Sequence, residues 1–212
     1  VDGVIILADT DLDDSVKLLE DYNIPMVVMF SKLSADNLCS VYIDYEKAVY
    51  NLCKSYLEKD ITDIGILQDH RNDVVSEMMN NGAKKAFGEK GLEYNGYIKV
   101  SKDNRSTYKF LKSYFKTHSH KVFIANRDSQ ALAALNAAAG LDINVPEDME
   151  LICMNDSKYT SSVRPEISSF VVPLYDLGAI SMRLMTKMLK DEDVEEKEKC
   201  LNVLYSPRKT TK

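Results

Sequence analysis

The sequence predicts an α/β protein built on parallel sheets. Short runs rich in β-branched residues alternate with helical patterns along the chain, which is the signature of parallel strands joined by helices. The runs 26–30 and 122–125 are two such strand segments. The chain has 212 residues, 45% of them hydrophobic. That suffices for one large domain or two small lobes.

The predicted elements follow in order. Strands are expected at 3–7, 26–30, 41–43, 63–67, 97–100, 122–125, 151–154, 167–172 and 201–205. Helices are expected at 12–22, from about 45 to 57, at 106–116 and at 129–139. One further helix is expected to end at Lys90, and the last one to begin near Tyr175. Gly91 and Gly140 follow two of these helices and suit helix ends. The charged run 191–199 indicates a solvated turn, and 209–212 a loose tail.

The last helix has the clearest periodicity. Leu177, Ile180, Leu184 and Met188 recur at helical spacing and predict one apolar stripe. Arg183 lies off this stripe, four residues before Lys187, so both cations share one exposed face. Spacing alone favours two solvated surface charges.

Charge and cysteine content narrow the class of protein. The net charge of −6 argues against this chain itself holding a nucleic-acid backbone, although a DNA-binding module elsewhere stays possible. Four cysteines, Cys39, Cys53, Cys153 and Cys200, are widely spaced and predict reduced thiols in the cytoplasm. No apolar run approaches the length of a membrane span, so no membrane partner is expected.

Several segments, taken in order and at their spacing, resemble one family. They are 1–7 (VDGVIIL), 23–28 (NIPMVV), 41–48 (VYIDYEKA), 131–135 (ALAAL), 145–152 (VPEDMELI), 163–169 (VRPEISS) and 171–187. Together they resemble the core of the lac repressor/galactose repressor family of bacterial transcription regulators, and most of all its carbon catabolite control branch.

The resemblance implies a two-lobed periplasmic-binding-protein type I fold, N-terminally incomplete. The first lobe is expected to hold 1–42 plus 169–193, and the second 43–168 plus 201–212. In this family a DNA-binding headpiece and two strand–helix units precede the strand that begins Val-Asp-Gly. The headpiece is therefore expected to be absent from this chain.

The resemblance also implies an effector site. The family's positions fall on Met79, Arg127, Asp128 and Asn155, and only Asp128 keeps the family's residue. Met79 is therefore better explained as core filler. Arg127 forms either a local ion pair with Asp128 or a contact with an anionic ligand, such as a phosphorylated metabolite. Asp44 either binds amides of a hinge or caps the next helix.

A protein partner is implied for the last helix. In the catabolite control branch this helix binds the phosphocarrier HPr, phosphorylated on a serine. The docking positions fall on Tyr175, Asp176, Ile180, Arg183 and Lys187. An Arg can direct two N–H donors at a phosphate, and a Lys adds a point charge. A further family Arg is replaced here by Leu204.

No catalytic pattern is recognised. The sequence has no Gly-rich phosphate loop and no Gly-x-Ser-x-Gly motif. His118 and His120 suit a solvated loop better than a metal site, and the acidic residues at 9–14 suit a helix start. Neither an enzyme nor a cofactor is expected.

The sequence therefore predicts the allosteric core of a homodimeric regulator that binds a DNA operator through its headpiece. The predicted dimer contact is the helix that bears Met78, Met79, Ala83 and Ala86. Two alternatives stay open: a sugar-binding protein of a transporter, which shares the fold, and a bare interaction module.

Overall fold

The computed structural model describes residues 1–7, 13–69, 74–101 and 103–212, within which helices and strands alternate. The acidic residues of 9–12 lie outside the described part. The strands are β1 (Val4–Leu7), β2 (Met26–Met29), β3 (Leu38–Ile43), β4 (Ile64–Asp69), β5 (Tyr97–Val100), β6 (Val122–Ala125), β7 (Glu150–Cys153), β8 (Ser168–Val171), β9 (Glu198–Leu201) and β10 (Leu204–Ser206). The helices are α1 (Asp13–Asp21), α2 (Tyr45–Leu57), α3 (Val74–Glu89), α4 (Asn104–Tyr114), α5 (Asp128–Ala139), α6 (Lys158–Ser162) and α7 (Leu174–Leu189).

The described residues form two compact units. Unit 1 comprises 1–44, 74–75 and 173–203, and unit 2 comprises 45–69, 76–172 and 204–212. Two segments lie elsewhere than the sequence placed them. Strand β8 pairs with β7 and β10, so 169–171 belongs to unit 2. Strand β9 pairs with β3, so residue 201 belongs to unit 1.

Unit 1 is built on a four-stranded parallel sheet in the order β1-β2-β3-β9. Met26 to Met29 are all buried, as expected for an interior strand of a parallel sheet. Helix α7 packs on β2 and β3. Its buried residues Leu177, Ser181, Leu184 and Met185 define the face turned to the sheet.

Unit 2 is built on a six-stranded sheet in the order β10-β8-β7-β6-β4-β5, parallel except for β10. Its core joins Leu67, Phe123 and Leu151 from three neighbouring strands. Helix α5 buries many alanines against this core, and these small side chains let α4 and α5 pack closely.

Three predicted segments near the chain end are corrected. The single strand expected at 201–205 is two strands in different sheets, β9 and β10. The turn expected at 191–199 ends in β9, because Glu198 pairs with Ser40. The tail is not loose. Thr210 is fully buried, where its hydroxyl donates to the Leu151 carbonyl at 2.6 Å and accepts from the Ser168 amide at 2.8 Å.

None of the helices in the described ranges is long and apolar enough to cross a lipid bilayer.

Candidate functional site

The carboxyl ends of the parallel strands in unit 2 gather polar side chains. The chain places β5 on one side of β4 and β6 on the other, so the strand order reverses between β4 and β6. In open α/β sheets, ligands bind outside the carboxyl ends of strands at such a reversal. Asp69 ends β4, and Asn126, Arg127 and Asp128 follow β6. This edge is the candidate small-molecule site.

A cluster of amides lies at this edge. Gln68 exchanges hydrogen bonds with Asn80 and donates to the Ser76 carbonyl at 3.2 Å. Asn126 Nδ2 donates to Ser76 Oγ at 3.4 Å. Gln68, Ser76 and Asn126 are all buried. These residues were not predicted from the sequence, although a polar side chain at the end of an apolar strand is a signal that could have indicated them.

Arg127 and Asp128 open helix α5. The Arg127 amide donates to Gln130 Oε1 at 3.3 Å, and the Ser129 amide donates to Asp128 Oδ1 at 2.7 Å. An anionic Asp128 in the first turn is favourable because the helix dipole is positive there. Gln130 itself is fully buried. The role of Arg127, as an ion-pair partner or a ligand contact, stays a prediction.

The remaining predicted effector residues differ in their access to a ligand. Met79 is fully buried, which suits the core-filler interpretation. Asn155 is half-buried, and its Oδ1 accepts from the Cys153 thiol at 3.5 Å. Asp44 is half-buried directly before α2, in the position of a helix cap.

The predicted dimer contact on α3 needs correction. Met79, Ala83 and Ala86 are buried within unit 2 itself, so they present no surface to a second chain. The reason is a close approach of α3 to α2, where a Cβ on Gly82 would lie 2.2 Å from the Glu46 carbonyl oxygen. Only Met78 is partly exposed.

The predicted protein-docking residues all lie on α7, in unit 1. Tyr175 is 86% exposed, Asp176 and Arg183 are exposed, and Ile180 and Lys187 are half-buried. Arg183 and Lys187 form no ion pair with any residue that the structure describes. Leu204, in β10 of unit 2, is 71% exposed.

Within the described part of the chain, no group of three or more histidines, cysteines or carboxylates is placed to hold a metal ion. His118 and His120 instead belong to an aromatic cluster. The Tyr114 ring stacks on His118 at 4.4 Å between centroids, and its hydroxyl lies 2.8 Å from His120 Nε2.

Comparison with known proteins places the chain in a family. The sequence profile of the periplasmic binding protein-like domain matches residues 54–211. Catabolite control protein A of Staphylococcus aureus is 28% identical over the whole chain, which spans 65% of that relative's length.

Solved structures of transcription regulators superimpose on this chain. Catabolite control protein A of Lactococcus lactis superimposes with a TM-score of 0.85 at 27% identity, covering 100% of this chain and 79% of that one. A sugar-binding transcriptional regulator of the LacI family from Escherichia coli, complexed with phosphate, reaches 0.86 at 18% identity, covering 99% and 76%. The second likeness concerns the fold alone. The chain belongs to the periplasmic binding protein-like domain family, and its homologues there are catabolite control proteins of the lac repressor type.

Proposed function

We propose that this chain is the regulatory core of a bacterial transcription regulator of the carbon catabolite control type. The support is its similarity to catabolite control protein A over the whole chain. Its net charge of −6 suits a core that leaves the DNA operator to a headpiece outside this sequence. Such a regulator acts in the cytoplasm, as a homodimer. A ligand that binds one conformation of the core more tightly shifts the population toward it, and thereby alters DNA binding.

The controlling partner in this proposal is HPr phosphorylated on a serine, docked on α7. The observation that carries it is the exposed guanidinium of Arg183, which has no carboxylate partner in the described structure. Lys187, one turn further, adds a second positive charge. Tyr175 and Ile180 supply apolar contact area beside the two cations.

Calorimetric titration with HPr, with and without the serine phosphate, tests the corepressor role. We expect binding that requires the phosphate and weakens at least tenfold in Arg183→Ala, because a hydrogen bond to a charged group contributes about 1.5–3 kcal/mol. Arg164→Ala is the matched control, since it removes an exposed arginine from unit 2.

Phosphate-independent binding, or equal losses in Arg183→Ala and Arg164→Ala, would contradict this role for α7. The DNA-binding proposal is separate, and operator binding by the complete regulator tests it independently.

A small effector is proposed at the carboxyl edge of unit 2, where Asp128 and Asn155 flank the buried amide cluster. Side-chain amides and carboxylates suit hydroxyl-rich ligands, since each unpaired buried hydroxyl is costly. A screen of sugars and sugar phosphates by thermal shift tests this site. A stabilising ligand should lose its effect in Asp128→Ala.

A further inference from the structure

We draw no further inference here: the strongest candidate, the exposed apolar strip of Leu174, Met182 and Leu189 along α7 in unit 1, is a helix face for which nothing in the described part of the chain shows what covers it.

Discussion

Arg208 and Asp156 form a bidentate ion pair that holds the end of the chain against the rest of unit 2. Nη1 donates to Oδ1 at 2.8 Å and Nη2 donates to Oδ2 at 2.9 Å. Thr160 and Ser169 donate to the same carboxylate, at 2.6 and 2.9 Å. The Arg208 and Asp156 side chains are only 16% and 25% exposed. The pair therefore joins the residues after β10 to the loop after β7.

Removing one partner of this pair should destabilise the protein strongly. Arg208→Ala leaves a mostly buried carboxylate without its cation, which typically costs about 3–5 kcal/mol. Urea unfolding followed by far-UV circular dichroism measures the loss. Arg164→Ala is the control, because its ion pair with Glu166 is long at 3.5 Å and exposed, and should cost less than about 1 kcal/mol. Equal losses of unfolding free energy in the two variants would show that Arg208 does not stabilise the end of the chain.

The same carboxylate should make stability depend on acid pH. Hydrogen bonds from Arg208 lower the pKa of Asp156 from 3.8 to about 2. A pKa that is lower in the folded state means stability that is fully present above about pH 4 and lost as the pH falls toward 2. As the pH is lowered from 5 to 2, the melting temperature should fall less steeply in Asp156→Asn than in the parent protein.

Asp103 provides the comparison for the acid titration. Its pKa is also lowered to about 2, by the Ser106 amide at the start of α4. Because Asp103 is exposed, Asp103→Asn should reduce the dependence of the melting temperature on pH less than Asp156→Asn does. Identical profiles for the parent and Asp156→Asn would contradict the assignment.

Gly82 is required by the packing of α3 on α2. A Cβ at this position would lie 2.2 Å from the Glu46 carbonyl oxygen and 2.9 Å from the Tyr50 amide nitrogen, both of which are backbone atoms. Gly82→Ala should therefore separate the helices and cost at least about 2 kcal/mol. Gly88→Ala on the same helix meets no atom within 4 Å and should instead stabilise by about 0.5–1 kcal/mol. Thermal melts that rank the two variants the other way would exclude this explanation.

The sequence predicted the architecture well where signals are local. Strand β6 was predicted at its observed bounds, and α7 within one residue of its start, because apolar runs and helical periodicity are properties of neighbouring residues. The prediction failed where the pairing of strands that are distant in the sequence decides the structure. Nothing within 201–205 indicates that Leu201 pairs with Ile43 while Leu204 pairs with Val171.

The candidate site was less predictable than the fold. The effector residues predicted from the resemblance include Arg127 and Asp128 at the carboxyl edge of unit 2, but not Gln68 and Asn126, which are buried at that edge. The buried face of α7 also differs from the one that periodicity predicted. Ile180 was placed on the apolar stripe of α7, yet Ser181 is buried instead, because the helix turns that side to the sheet. Helical spacing predicts which residues share a face of the helix, but only packing decides which face turns to the sheet.

Thiol reactivity should separate Cys200 from the other three cysteines. Cys39, Cys53 and Cys153 are fully buried, and burial raises the pKa of Cys53 and Cys153 to about 12, which leaves almost no thiolate at neutral pH. Cys200 in β9 is exposed. A disulfide reagent should therefore label one thiol rapidly in the folded protein and the remaining three only after unfolding in urea. Cys200→Ser should remove the rapid phase, and Cys39→Ser should not. More than one rapid equivalent in the parent protein would mean that a strand or helix described here as core opens readily to solvent.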